Sequence, residues 1–162
     1  MSEKFRLSDF EPLIREVVES GGEFTMKTRG TSMLPMLSDG GDSVILVKAP
    51  EKLLCGDVAF YKRANGQYVL HRVVDVRDDG YVMRGDSQIV NEYNVAHESV
   101  IAVMKAYIKD GKRIEADDSE YRKYVRTLEG KYRMKLCRVF AAQTKNKILS
   151  LVLRSRRKDN DK

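Results

Sequence analysis

In the stretch Tyr68-Val69-Leu70-His71-Arg72-Val73-Val74, β-branched and aromatic residues surround two adjacent polar side chains. Residues of these types fit the pleated surface of a sheet, so the stretch predicts a β-strand from Tyr68 to Val76. Similar segments, separated by turn signals, predict strands at Phe24 to Thr28, Ser43 to Lys48, Asp57 to Lys62, Tyr81 to Arg84, and Val100 to Ile108 with a partner near Arg113 to Glu115. Short segments separated by turn signals favour antiparallel pairing over βαβ units, which need a helix between the strands. We therefore expect a mainly β fold, with a coiled antiparallel or barrel-like sheet.

Helical patterns flank this β region. Ser8 and Glu11 have the spacing of a capping box, and an apolar helical period follows them. The C-terminal segment also has a helical period and is rich in Lys and Arg. We predict an N-terminal helix over residues 1–23, a β core over 24–116 and a basic helical tail over 117–162 that is disordered at its end.

Composition indicates one soluble globular domain. The chain has 162 residues, of which 42% are hydrophobic and 33% charged. Two cysteines are too few for a disulfide framework, which favours a reducing compartment. The sequence contains neither the apolar core of a secretory signal nor a run of about 18 apolar residues that would span a membrane. These features predict a cytoplasmic protein without a membrane anchor.

Charge is distributed unevenly along the chain. The net charge is +6, yet residues 119–162 contain 14 Lys and Arg against 4 Asp and Glu, which leaves the remainder at −4. Such asymmetry predicts an acidic partner for the tail. One interpretation is that residues 145–158 lie on the anionic inner face of a membrane, as a basic amphipathic helix does. The alternative is a helix with solvated charges, and nucleic acid is disfavoured because few aromatic residues are interleaved.

A candidate nucleophile lies in Gly30-Thr31-Ser32-Met33-Leu34-Pro35-Met36, where Ser32 follows small residues and precedes a Met-x-Pro turn. A serine hydroxyl needs a neighbouring base that accepts its proton. The chain has only two histidines, His71 in the predicted strand and His97 in a predicted loop.

The order of these motifs resembles the serine peptidases of the signal-peptidase and LexA-like superfamily, over residues 24–107. The resemblance is carried by the Ser32 motif, Gly56-Asp57, His71-Arg72 and Arg84-Gly85-Asp86. His71 stands where endoplasmic-reticulum-type signal peptidases have histidine and the other branches have lysine. The resemblance therefore implies the Ser-His branch, but without the membrane anchor that signal peptidases usually carry.

The resemblance implies that Ser32 is the nucleophile and His71 the general base. Two carboxylates are candidates for orienting His71. Asp86 matches the Gly-Asp pair that follows the penultimate core strand, whereas Glu92 aligns with the aspartate that completes Ser-His sites. Both alternatives stay open from the sequence.

The resemblance also indicates the oxyanion and substrate-binding region, at Gly30, Thr31 and Met33. The backbone N–H of Ser32 is the natural oxyanion donor. Signal peptidases often add a serine hydroxyl two residues earlier, where this chain has Gly30. Only a backbone N–H or the Thr31 hydroxyl could take that place.

The expected function is that of a serine endopeptidase, which cleaves a leader or signal-like segment from a peptide or protein precursor. We expect no cofactor and no metal, because the chain lacks paired Cys or His spacing and a P-loop. One alternative is a LexA-like self-cleaving regulator, which the short segment before Ser32 disfavours. Another is an inactive module of the same fold that binds a peptide or a membrane.

Overall fold

The computed structural model describes residues 7–135, 137 and 138. The chain divides into two compact units, Met1–Val125 and Arg126–Lys162. In the first unit, helix α1 spans Leu7–Glu19 and a further helix begins at residue 119; in the second, residues 126–135 are helical. None of the described helices is long and apolar enough to cross a membrane. The predicted membrane-binding segment, 145–158, lies outside the described residues.

Eight strands form one antiparallel sheet in the first unit. They are β1 Phe24–Lys27, β2 Ser43–Val47, β3 Val58–Lys62, β4 Tyr68–Arg77, β5 Gly80–Arg84, β6 Glu92–Val95, β7 Val100–Lys109 and β8 Lys112–Glu115. Their order is β1-β2-β7-β3-β4-β5-β6, and β8 pairs with β7. The mainly β, antiparallel prediction is confirmed, but the sheet is open, with β1 and β6 at its ends, and does not close into a barrel.

Two local predictions were wrong. The predicted loop that contains His97 covers residues 94–98, yet the first two of these residues belong to β6, Glu92–Val95, in which Asn94 has a φ of 57°. Asparagine tolerates this left-handed conformation, which no strand pattern reveals. The capping box does not form either, because Ser8 lies inside α1 and its hydroxyl donates to Asp9 Oδ1 at 3.2 Å.

The sheet is apolar on both faces at its centre. Along β3, Val58 and Phe60 belong to an apolar cluster that also includes residues of α1, and Ala59 and Tyr61 belong to a second cluster. Because successive strand residues point to opposite faces, the two clusters cover the two sides of the sheet. This arrangement buries the middle of β4 as well, including His71 and Arg72.

Arg72 is a buried cation at the centre of a hydrogen-bond cluster. Its Nε and Nη2 donate to Asp86 at 2.8 and 2.7 Å, and its Nη1 donates to the Gly56 carbonyl at 2.7 Å and the Tyr121 hydroxyl at 2.8 Å. Nη2 also lies 3.4 Å from the Met36 sulfur. The cluster therefore ties the ends of several segments to β4.

We predict that Asp86→Ala lowers the free energy of unfolding by about 3 to 5 kcal/mol, because it leaves the Arg72 charge buried without its partner. Asp75→Ala is the matched control, since Asp75 pairs with Arg77 at 3.1 Å in an exposed position. That loss should stay below about 1 kcal/mol. Urea unfolding measures both values, and equal losses would contradict the structural role assigned to Arg72.

Candidate functional site

Ser32 lies in the loop of residues 30–37, which connects β1 to β2 and is called the serine loop below. Three of its apolar side chains are buried in the core: Met33, Met36 and Leu37. Lys109, at the end of β7, donates through Nζ to the carbonyl oxygens of Pro35 at 2.5 Å and Met36 at 3.2 Å. The loop is therefore held from the core side and from a neighbouring strand.

The turn after β5 holds the loop at Ser32 itself. The Ser87 N–H donates to the Ser32 carbonyl at 2.9 Å, and the Ser87 hydroxyl lies 3.0 Å from that oxygen and 2.8 Å from the Thr31 carbonyl. A Cβ on Gly85 would lie 2.6 Å from the Ser32 oxygen and 2.9 Å from the Ser32 Cβ. Only glycine permits this close approach.

The register of β4 and β5 brings His71 to the same place. Arg72 pairs with Arg84, so one further step of the antiparallel register puts Gly85 opposite His71. Since Ser32 packs against Gly85, the serine loop and His71 converge. Ser32 and His71 both line one cleft of about 450 Å³.

The residues predicted for oxyanion and substrate binding line this cleft as well. They are Gly30, Thr31 and Met33. Gly30 has a φ of +87°, and its N–H donates to Asp39 Oδ1 at 2.8 Å. That N–H is therefore already hydrogen-bonded, and the role of Gly30 is to form the turn that precedes Thr31 and Ser32.

His71 is almost fully buried, with 3% of its surface exposed. Its Nδ1 lies 3.3 Å from the Tyr61 hydroxyl and 3.8 Å from Glu92 Oε2. Burial lowers the pKa of the His71 imidazole to about 4 from its ordinary 6.5, Glu92 opposes this shift, and Arg63 adds to it. His71 is therefore neutral at pH 7, as a proton-accepting base must be.

Of the two candidate carboxylates, Glu92 is the one beside His71. Both oxygens of Asp86 accept hydrogen bonds from Arg72, and the Tyr124 hydroxyl donates to Oδ2 at 3.0 Å. Asp86 thus belongs to the buried cluster around Arg72. The edge strand β6, which sequence reasoning missed, carries Glu92 to the Nδ1 side of His71.

Glu92 is held by two residues that the sequence did not single out. Arg63 donates to it through Nε at 2.8 Å and Nη2 at 2.5 Å, and the Tyr61 hydroxyl donates to Oε2 at 2.8 Å. Burial raises the pKa of the Glu92 carboxyl, but hydrogen bonds from Arg63 and Tyr61 outweigh it and lower the value. The available signal was the spacing of Tyr61 and Arg63, because residues two positions apart share one face of an extended strand. The sequence alone does not show that this face meets Glu92.

Gln88 is a further residue that sequence reasoning missed. It lines the cleft, and its Oε1 accepts the Gly85 N–H at 3.2 Å. A Cβ built on Gly85 would lie 3.1 Å from the Gln88 amide carbon and 2.9 Å from the Ser32 Cβ. These two atoms are therefore at most about 6 Å apart by the triangle rule, which places a side-chain amide beside Ser32.

We predict that the buried His71 makes stability pH-dependent. The unfolded chain binds a proton at His71 near pH 6.5 and the folded chain only near pH 4, so stability falls as the pH drops through this window. Urea unfolding between pH 7.5 and 4 should show this slope in the wild type and lose it in His71→Gln. Between pH 7.5 and 4, His71 should therefore lower the free energy of unfolding of the wild type by at most about 3 kcal/mol relative to His71→Gln.

His97→Gln is the matched control, because His97 is partly exposed and packs edge-to-face on Tyr81 at 4.4 Å. Its pH dependence should follow that of the wild type. If His71→Gln kept the wild-type slope, the buried neutral state of His71 would be refuted.

No family model matches this chain, and no curated protein sequence matches it. The resemblance to signal peptidases accordingly rests on the motifs around Ser32, His71 and Asp86. Among residues 7–135, 137 and 138, no group of three or more His, Cys, Asp and Glu side chains is arranged to hold a metal ion.

Proposed function

We propose that this protein is a serine endopeptidase that removes a leader or signal-like segment from a peptide or protein precursor. The observation that carries the proposal is the convergence of Ser32 and a buried, neutral His71 on one cleft. A neutral imidazole accepts a proton without first losing one. The Ser-His resemblance of the sequence supports the same assignment.

In the proposed reaction, the Ser32 hydroxyl attacks the carbonyl carbon of the scissile bond as His71 accepts its proton. The C–N bond then breaks, and the leaving amine takes that proton from the imidazolium. Water next adds to the acyl-serine ester with His71 again as the base. This step releases the new carboxyl group and restores the Ser32 hydroxyl.

Two donors are proposed for the oxyanion that forms during attack. The backbone N–H of Ser32 is one, as in other serine peptidases that attack from a turn. The Gln88 amide is the other, because its oxygen is taken by Gly85 and its NH₂ group is left for the cleft. It replaces the serine hydroxyl that has no counterpart at Gly30.

The proposed substrate is an extended segment that contains acidic residues. Strand β1 ends the open sheet and leads into the serine loop, so a peptide can add to it by main-chain hydrogen bonds. The described residues that line the cleft include Lys27 and Arg29 and no Asp or Glu, while a third lining cation, Arg63, is paired with Glu92. This charge favours a peptide that carries carboxylates beside apolar residues.

We predict that Ser32→Ala lowers the cleavage rate by about 10⁴-fold or more while leaving the melting curve unchanged. The assay is mass spectrometry of a proteome-derived peptide library incubated with the purified protein. His71→Ala should be similarly inactive, and His97→Ala should stay within a few-fold of the wild type. Because His71 has a pKa of about 4, wild-type activity should persist down to about pH 5 and fall below it.

Unchanged cleavage products from a folded Ser32→Ala variant would refute the nucleophile assignment. Equal losses from the His71 and His97 variants would refute the base. Cleavage of the protein's own chain alone would favour the self-cleaving regulator, and no cleavage of any peptide would favour the inactive binding module.

We also propose that the basic tail attaches the protein to an anionic membrane surface. The charge of +10 over residues 119–162, against −4 in the rest of the chain, supports this proposal. Each basic residue near such a surface contributes about 1 kcal/mol, and added salt screens the attraction.

We predict that full-length protein co-sediments with phosphatidylserine vesicles at low salt and is released at high salt. Removal of residues 145–162 should abolish sedimentation and leave cleavage of soluble peptides intact. Neutral phosphatidylcholine vesicles are the control. A truncated protein that binds as well as the full chain, or a full chain that never binds, would favour a solvated helix instead.

A further inference from the structure

Tyr61 stands between His71 and Glu92 in the candidate site. We propose that the Tyr61 hydroxyl is the positioning group of the base: it accepts a hydrogen bond from His71 Nδ1–H, donates one to Glu92, and leaves Nε2 to accept the proton of Ser32. This inference rests on the proposed endopeptidase function and adds a residue to its machinery. It also separates Glu92 from direct contact with the imidazole.

Distances favour this path over a direct His71–Glu92 contact. Nδ1 of His71 lies 3.3 Å from the Tyr61 hydroxyl but 3.8 Å from Glu92 Oε2. The second distance is too long for a hydrogen bond, and the first lies just beyond the usual range of 2.7 to about 3.2 Å. Catalytic hydrogen bonds of this kind often tighten when substrate binds.

The direction of both hydrogen bonds follows from the single proton of a phenol. Glu92 is a carboxylate held by Arg63, so it can only accept, and the Tyr61 hydroxyl donates to it at 2.8 Å. The Tyr61 oxygen then has lone pairs but no proton left for His71. The imidazole must therefore carry its proton on Nδ1, which fixes the tautomer.

Burial keeps the Tyr61 phenol protonated. The hydrogen-bond chain from His71 through Tyr61 to Glu92, called the relay below, requires this state. Burial and the neighbouring Glu92 raise the pKa of the Tyr61 hydroxyl far above its ordinary value, so it stays protonated. The neutral Tyr61 hydroxyl also lies between the imidazole and the negative charge of Glu92, which is one hydrogen bond further away. This agrees with a base that remains neutral at mildly acidic pH.

The sheet register explains why a residue of β3 reaches His71. Ala59 pairs with His71 and Tyr61 pairs with Val69, so Tyr61 is two positions away from the direct partner. Residues two positions apart share a face, and such diagonal neighbours are within reach of an aromatic side chain. Tyr61 is itself fully buried, so its hydroxyl depends on partners within the protein.

The test is Tyr61→Phe, which removes the hydroxyl and keeps the ring. Long-range ¹H–¹⁵N spectra of the histidines at pH 7.5 report which nitrogen of His71 is protonated. We expect the Nδ1–H tautomer in the wild type and a shift toward the Nε2–H tautomer or a mixture in Tyr61→Phe. The value of kcat should fall about 10- to 100-fold with KM within about two-fold, as for loss of a group that acts through the base.

Tyr81→Phe is the matched control. Tyr81 is equally buried, and its hydroxyl accepts the Leu53 N–H at 3.0 Å, so the variant also loses one buried hydroxyl. It should leave the His71 tautomer and kcat unchanged. A loss of kcat in both variants would indicate a general packing effect and would overturn the inference.

The spectra separate this inference from the proposed function. A His71 tautomer that is unchanged in Tyr61→Phe overturns the positioning role, whatever the cleavage rates are. The expected tautomers without any cleavage would overturn the endopeptidase function and support the hydrogen-bond relay. If Tyr61→Phe does not fold, the wild-type spectrum decides, because an Nε2–H tautomer contradicts the relay.

Discussion

The placement of the site depends on one buried charge, the guanidinium of Arg72. A cation in the core is tolerated only when its donors are paired, since an unpaired buried charge is strongly destabilising. The acceptors of Arg72 come from separate segments: Asp86 after β5, Gly56 before β3 and Tyr121 in the helix that begins at residue 119. Satisfying this one side chain therefore sets where these segments meet around β4. Met36 of the serine loop reaches the same guanidinium, so the loop is placed by the same constraint.

Adjacent residues of β4 divide the structural and chemical roles between the two faces of the sheet. Arg72 points to the cluster that organises the fold, and His71 points to Tyr61 and Glu92 on the other face. The strand period of two produces this separation, and a register slip of one residue would exchange the two side chains. Fixing Arg72 in its cluster therefore also fixes the direction of the imidazole. The imidazole of His71, the proposed base, is positioned partly by its own neighbour in the chain.

The sequence predicts what short-range patterns control. β-branched and aromatic segments between turn signals located seven of the eight strands, and the motif order singled out Ser32 and His71, which line one cleft. The missing strand, β6, contains a residue in a left-handed conformation, and it carries Glu92. The choice between Asp86 and Glu92 depended on which face each carboxylate occupies, and register is a tertiary property. Tyr61 is an ordinary core residue in the sequence, because only the pairing of β3 with β4 brings it to His71.

Burial makes the imidazole of His71 both neutral over a wide pH range and weakly basic. Its low pKa keeps it unprotonated well below pH 6.5, but a group that binds a proton weakly in the ground state is a weak base. In the proposed reaction, Glu92 stabilises the charge that appears on His71 from a distance of 3.8 Å, without a direct hydrogen bond, and Arg63 offsets part of the carboxylate charge. In the proposed reaction, His71 thus contributes less by its strength as a base than by its position. The close packing of the Ser32 loop against Gly85 suits such a reaction, because it fixes the position of the hydroxyl. Where the base is weak, the effective concentration of the reacting groups has to supply more of the rate.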